Sequence, residues 1–522
     1  MAESQPTTST PSARTVRWWP GILLFALAVI AISWVRIQAS WPFQERNILT
    51  AKIVLISAVV LLVWWTFFSR APGRIRFGIT GAIVGLLVLG ALLFRVKGLS
   101  GDLAPILEFR WAGRGPLDIQ SAAPTHTSPV SARSGANDFP QFLGPERNGI
   151  LAGPRLDTNW QAHPPAILWR QKVGAAWSGF AVVGEICLTQ EQRGENECVV
   201  AYDLKNGKQL WLHSDQARYN TIVAGDGPRA TPSVQSNRVF TCGATGLLNC
   251  FDLSTGRVLW GRNLLANGGK VPDWGVAGSP LLVDGLVIVH GGLATQHSLY
   301  AFRAEDGQPV WTGGTVNPGY ASPSLATLAG VRQIVTFNGG SVSGQDIASG
   351  AILWEKPWGS GNVVCSVPVV IGENRVLFSS GYGYGAELLE ISRGSDAKLA
   401  VKTLWKSIRM KAKFSHLYAR DGFLYGLDDG IFACVDLKDG ALRWKEGRYG
   451  HGQGLLVGDL YLLMAESGEL VLLRPTPESP NELTRFRVFH AKTWNPIALS
   501  GDLLLVRNDE EAACLRLPLM QK

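Results

Sequence analysis

Several signatures that would declare a chemistry are missing from this chain of 522 residues. There is no Cys-x-x-Cys, no His-x-x-x-His, no Gly-x-Ser-x-Gly and no glycine-rich phosphate loop. Each absence leaves a class of function without support: a clustered-thiolate metal or redox site, a zinc hydrolase, a nucleophile-elbow hydrolase and a nucleotide-dependent enzyme. A Cys-x-x-Cys-His for covalent haem attachment is also missing. Charge is scarce. Asp, Glu, Lys and Arg make up 17% of the chain, and the net charge of +8 includes arginines beside apolar segments, so no nucleic-acid partner is implied. The seven cysteines (187, 198, 242, 250, 365, 434 and 514) are odd in number and fall mostly within apolar runs. They read as buried, reduced thiols. A Cys242–Cys250 bridge is the alternative, although a turn at Thr245-Gly246 would set the two diagonally rather than opposite.

Long apolar runs, by contrast, are present at the N-terminus. A polar tail (1–17) precedes Trp18 to Val35, and Ile53 to Ser69 and Phe77 to Phe94 follow with similar apolarity. Each is long enough to cross a bilayer, and Trp18, Trp19, Trp34, Trp64 and Trp65 stand at segment ends, where indoles favour the interface. A cleavable signal peptide is the rival for the first segment alone. It lacks a small-x-small cleavage site and has two spans behind it, so 18–96 is read as a permanent three-helix anchor. Arg70, Arg74 and Arg76 in the second connection place that loop in the cytoplasm, which sends everything after Val96 to the other side, the periplasm of a Gram-negative cell. Against this, Arg95 and Lys97 flank the third span on its outer end. Residues 97–138 read as a juxtamembrane segment and flexible linker, since Gly113 to Asp138 is rich in Pro, Ser, Thr, Ala and Gly with no hydrophobic period.

From Phe139 to the end the chain repeats itself. Asp203, Gly207 and Trp211 share a spacing with Asp252, Gly256 and Trp260, with Asp346, Gly350 and Trp354, and with Asp436, Gly440 and Trp444; Arg303, Gly307 and Trp311 lose only the Asp. Each copy reads as a hairpin in which the Asp accepts hydrogen bonds from turn amides and the Gly takes a positive φ. Eight further runs enter on small or polar residues and continue apolar to a turn, beginning near Trp177, Arg229, Ala277, Tyr320, Cys365, Phe414, Gly450 and Trp494. Four antiparallel strands per unit is a propeller blade. Seven blades close with Trp211, Trp260, Trp311, Trp354, Trp405, Trp444 and a degenerate Phe486, and the eighth takes its outermost strand from around Trp169 at the start of the domain. The expected fold is therefore an all-β eight-bladed propeller, 139–522, with first and last strands closing the ring, preceded by three transmembrane helices.

Phe251-Asp252-Leu-Ser-Thr-Gly256-Arg-Val-Leu-Trp260 and Tyr202-Asp203-Leu-Lys-Asn-Gly207-Lys-Gln-Leu-Trp211 resemble the docking motif of the pyrroloquinoline quinone (PQQ) repeat propellers. The resemblance covers about Asp138 to Leu519, and the anchor ahead of it is similar to membrane-anchored bacterial PQQ-like repeat proteins. That family implies two kinds of function: quinoprotein dehydrogenases of alcohols or sugars, and non-enzymatic members such as the propeller lipoprotein of the outer-membrane protein assembly machinery. In the dehydrogenases the resemblance implies PQQ held between a Trp and, in many members, a disulfide of adjacent cysteines, with calcium beside a catalytic Asp. This chain has no adjacent cysteines, and its acidic residues near the mouth are scattered across blades. Trp274 or Trp494 would be the stacking platform.

Strand order sorts the unusual residues onto one face, the mouth, where the loops between second and third strands meet the connections entering each blade. Binding candidates there are Arg193, Arg229, Trp274, Lys411, Lys413, Arg448, His451, Trp494 and Asn495. Polar residues that merely satisfy strand ends are the plain alternative. Lys411, Lys413, Arg448 and His451 resist it, because like charges in one sector are costly unless an anion, or Asp428 and Asp429, compensates. The sequence thus reads as an envelope scaffold binding a protein or small anionic ligand, with no catalytic residue or metal site assigned and no cofactor required. A PQQ- and calcium-dependent oxidoreductase is the alternative.

Overall fold

The computed structural model of the chain describes residues 16–38, 41, 43–112, 135–266, 268–294, 297–359, 363–394 and 399–520. It divides into two compact units, Met1–Arg114 and Gly115–Lys522. Most of the N-terminal tail and of the expected linker lies outside the described residues.

In the first unit, α1 (Trp19–Ile37), α2 (Phe43–Phe68) and α3 (Gly73–Leu93) are each long and apolar enough to cross a membrane. Their ends extend past the apolar runs. Arg46 and Lys52 lie in α2, and Arg74 and Arg76, read as part of the second connection, lie in the opening turns of α3. Polar residues on the helices find partners on their neighbours: Arg36 donates to Asn47 Oδ1 at 2.9 Å, and the Thr66 and Thr80 hydroxyls pair at 2.8 Å between α2 and α3. A feature the sequence reading missed follows at once. β1 (Phe94–Leu99) and β2 (Pro105–Phe109) form an antiparallel hairpin where only a juxtamembrane segment was expected.

The second unit is an eight-bladed β-propeller. Blades 1 to 8 occupy residues 181–215, 233–263, 281–313, 324–357, 369–407, 418–448, 453–487 and 498–516. Each has four antiparallel strands, and the fourth strand of blade 8 is Ala166–Lys172. It pairs Trp169 with Cys514 and Ile167 with Leu515, so the ring is closed by hydrogen bonds between its two ends, as expected. All seven cysteines are unbridged; Cys242 opposes Leu248 while Cys250 opposes Phe240, the diagonal offset that the turn demanded.

The repeat motif has a direct physical reading. Asp252 Oδ1 accepts from the amides of Ser254 and Thr255, at 3.1 and 2.9 Å, and Asp346 does the same for Ala348 and Ser349. The turn so formed lies under the tryptophan of the preceding blade. Indole N–H groups donate across the blade boundary from Trp169 to Leu204 O, Trp211 to Leu253 O, Trp260 to Ala304 O and Trp405 to Leu437 O, at 2.8–3.1 Å. In all eight blades the last two strands carry a register shift one residue before this position, as where Cys250 faces Trp260 but Phe251 faces Val258. The bulge swings the ring out of its own sheet toward the next.

Two copies depart, and both departures have a cause. Trp354 turns back to Gln333 Oε1 of its own blade, at 2.5 Å, because blade 5 ends in a nine-residue strand pair rather than an Asp/Gly turn. In blade 7 the register puts Thr484, opposite Leu472, at the tryptophan position, which corrects the assignment to Phe486. The blade that follows is closed by the two ends of the domain, so there is no continuous turn for an indole to meet.

The turn-rich lead-in (139–151) is more than an entry. Phe139 exchanges two backbone hydrogen bonds with Val182 in blade 1, Pro140 O accepts from Val234 in blade 2, and Ile150–Leu151 pairs in parallel with Leu456 and Val457 of blade 7. Phe142 lies edge-on to His416 at the entry of blade 6, and the buried Arg147 guanidinium donates to carbonyls of Ser279, Pro280 and Pro323 at 2.9–3.1 Å. One short segment therefore touches innermost strands, or their entries, around most of the ring. It fills the channel from the face that carries the Asp/Gly turns.

Gly256 has φ +69°, and a Cβ there would sit 2.5 Å from the Trp211 ring, whereas Gly194 has φ +56° and open space around it. Gly194→Ala is expected to cost about 1 kcal/mol of backbone strain alone, and Gly256→Ala about 3 kcal/mol, since the indole must also move. Denaturant midpoints of the two variants against the parent chain check this difference.

Candidate functional site

The mouth is assembled by the connections that enter each blade. Trp177 enters blade 1, Trp274 blade 3, Tyr320 blade 4, Phe414 blade 6, His451 blade 7 and Trp494 blade 8, while Tyr382 comes from the loop between the second and third strands of blade 5. Their rings meet. Trp494 contacts Trp177 and Phe414 at 4.9 Å each between centroids, and Phe414 lies 5.5 Å from His451. Trp274 lies 5.3 Å from Tyr320 and 6.2 Å from Tyr382. Phe414 to Trp494 and Trp274 to Tyr382 each join connections two blades apart, so the rings reach over the entries between them.

Cations stitch the two aromatic groups together. Lys413, 1% exposed, places its Nζ 3.1 Å from His451 Nε2 and 5.7 Å from the Tyr382 centroid. Lys492 stands 3.9 Å from the Trp494 centroid and 4.8 Å from that of Trp177, a cation held over two π faces. The crowded charge beside them is neutralised from within. Lys411 pairs with Asp429 at 2.8 Å and approaches Asp428 at 3.8 Å, and Lys445 reaches Asp428 at 2.8 Å. Of the two compensations that the sequence left open, the aspartates are in place. Burial lowers the Lys445 ammonium below its usual range against the pull of Asp428.

The nine candidate residues therefore divide. Trp274, Lys413, His451 and Trp494 come together in the aromatic lid, with Lys411 beside it. Asn495 is buried below them, donating to the carbonyls of Ala176 and Ser178 at 2.9 and 2.8 Å. Arg448 is exposed at the end of its strand. Arg193 and Arg229 are turned to structural work. Arg193 is clamped by Glu191 at 2.9 Å and by the Tyr202 hydroxyl; burial would depress its guanidinium, but the Glu191 charge outweighs this and raises it. Arg229 folds back onto the carbonyls of Ala224, Gly225 and Gly227 and over the Tyr219 ring at 4.3 Å, and burial lowers it to about 10.

Three contributors escaped the sequence reading. Tyr382 and Phe414 sit in mouth loops as ordinary apolar residues, with no spacing to single them out. Arg507, fully buried, bridges blade 8 to blade 1 through Thr189 Oγ1, Gln190 O and Gly174 O at 2.7–2.9 Å.

The family described as outer membrane protein assembly factor BamB matches residues 195–446. BamB of Bordetella pertussis is 23% identical over 331 residues, covering 58% of this chain and 77% of that protein. BamB of Shewanella oneidensis is 25% identical over 262 residues, 47% of this chain and 60% of that one. The chain carries a PQQ-like β-propeller related to BamB. The solved structure of BamB from Moraxella catarrhalis superposes with a TM-score of 0.50 at 14% identity, covering 68% of this chain and 100% of that one. A quinohemoprotein alcohol dehydrogenase from Comamonas testosteroni gives 0.53 at 12% identity, over 75% and 82%. These two likenesses are of fold.

The dehydrogenase cofactor can be tested against the mouth itself. A planar tricycle needs a slot between flat walls, and here the rings that would form the walls touch one another. Among the described residues no group of three or more His, Cys, Asp or Glu side chains is placed to hold a metal ion. Among the described residues, the mouth offers neither that slot nor that ligand set.

Glu197, at the start of the third strand of blade 1, is pushed up to about 7 by burial from 4.5, although Thr245 donates to its Oε2 at 2.9 Å. Its folded value exceeds the unfolded one, so folding takes up a proton between about pH 4.5 and 7 and stability falls as pH rises through that window. Glu197→Gln is expected to remove this slope and to raise the denaturant midpoint at pH 8 relative to the parent; midpoints at pH 5 and 8 for both proteins check it.

Proposed function

We propose that the chain is a membrane-anchored envelope protein whose propeller is a docking module for a partner protein, met by the loop-rich mouth. One observation carries this reading: among the described residues, the cations and rings of the mouth satisfy one another across several blade entries, which makes a joined aromatic and cationic surface. Trp274 and Trp494, half-buried, and Arg448, exposed, present indole and guanidinium groups of the kind that anchor protein interfaces. The relatives' name, outer membrane protein assembly factor, supports an envelope protein as the partner.

The helices α1 to α3 are read as three spans, which supports an inner-membrane anchor. Arg70, Arg74 and Arg76 at the connection of α2 and α3 favour the cytoplasm for that end, and a third crossing then delivers the later residues to the periplasm.

Affinity capture of the full-length chain from solubilised membranes is expected to co-purify an envelope protein. Replacing Arg448 and Lys492 together by Ala should weaken that capture roughly 10-fold while the denaturant midpoint stays within about 1 kcal/mol of the parent. Tight PQQ uptake in the presence of calcium, with dye reduction on alcohols or sugars, would overturn the docking reading.

A further inference from the structure

The hairpin of β1 and β2 is fixed to the helices at both of its ends. β1 begins at Phe94, the residue after α3 ends, and the Phe94 amide donates to Gly90 O. The last turn of α3 is closed from β2: the Arg110 amide donates to Leu93 O at 2.8 Å and its Nε to Ala91 O at 2.9 Å, which satisfies carbonyls a helix end leaves open. The far turn of the hairpin is held by the start of α2, where Gln44 donates to Gly101 O at 3.0 Å and Asn47 to Asp102 O at 2.8 Å. The hairpin thus lies as a shelf across one end of the three-helix unit, the end that also carries the connection between α1 and α2.

Its two faces differ in chemistry. Register places Phe94 opposite Phe109 and Val96 opposite Leu107, which makes one face wholly apolar. Val96 and Leu107 are 52% and 62% exposed, and Trp111, 65% exposed, packs edge-on against Phe109 at 5.2 Å. On the other face Arg95 and Glu108 form an ion pair at 2.9 Å. A two-stranded hairpin with a bare apolar face is marginal in water, so something must cover it. The chain itself indicates what. The 21 residues of α3 rise about 31 Å, the thickness of a bilayer's hydrocarbon, so a residue that directly follows the helix stands at the lipid boundary. Trp34 and Trp41, in edge contact at 5.3 Å, stand at the same end and extend the row of aromatics there.

We propose that β1 and β2 form an interfacial hairpin whose Phe94, Val96, Leu107, Phe109 and Trp111 face sinks into the headgroup–acyl boundary of the bilayer that α1 to α3 cross, with Arg95 on the opposite face turned to water. This rests on the reading of the helices as spans. Its consequence is that the chain leaves the lipid surface after Trp111 rather than at the end of α3, so the reach of the segment that follows is counted from a fixed ledge.

The test uses the full-length chain in lipid nanodiscs, in a Cys365→Ser background because Cys365 is the one native cysteine not classed as buried. Val96→Cys, Leu107→Cys and Arg95→Cys each carry an environment-sensitive fluorophore, and Leu86→Cys in the middle of α3 reports the span. Expected is strong quenching of the probes at 96 and 107 by lipids spin-labelled near the headgroup, with several-fold less quenching by aqueous iodide than at 95. Iodide access at 96 and 107 equal to that at 95, with 86 protected, overturns the hairpin proposal and leaves the spans standing. Iodide access at 86 as well overturns both.

Discussion

The contact on which the propeller depends is an indole laid on the turn of the next blade. The ring covers a glycine that has no Cβ to block it, and its N–H donates to a carbonyl of that same turn, so one residue supplies both apolar cover and a directional bond across the boundary. Because the bond points to the neighbour rather than within the blade, it sets the angle between successive sheets as well as their distance. The Asp makes the turn rigid enough to be a target, by accepting the amides that would otherwise face solvent. Where the target is absent, the donor goes elsewhere or is lost, as Trp354 and Thr484 show. The two exceptions support the rule, since each follows from the shape of the blade that comes after.

Ring closure and the filling of the axis are the second layer of the structure. The ends of the domain are zipped by the pairing of Cys514 with Trp169, and Arg507 adds a buried guanidinium between blades 8 and 1. The lead-in then occupies the channel from one face while rings from entries of the blades close it from the other. Among the described residues, the charge of the mouth is largely an internal matter of Lys411, Lys445, Asp428 and Asp429.

Much of this was legible in advance because a repeat writes the same physical requirement several times over. Blade number, the shared eighth blade and the role of Asp, Gly and Trp followed from spacing. Register within the degenerate copy did not: Phe486 is aromatic and nearly in place, yet the bulge at Leu483 puts Thr484 there, and a bulge leaves no mark in composition. The mouth was half legible. Charged residues could be assigned to a face by strand order, but Arg193 and Arg229 point into their own blade and loop, which depends on rotamer and packing.

By itself the amino-acid sequence determined the apolar helices, the four-strand unit, its eightfold return and the closure of last strand on first, since periodicity, turn chemistry and run length are local properties. Only the tertiary structure decided which cations pair with which carboxylates, that rings from alternate blades meet over the axis, that the lead-in fills the channel, and that a hairpin follows α3. Most of these join residues far apart in the chain, and pairing at a distance is set by packing, which no local pattern encodes; the hairpin is local, but Gln44 and Asn47 hold its turn from the start of another helix.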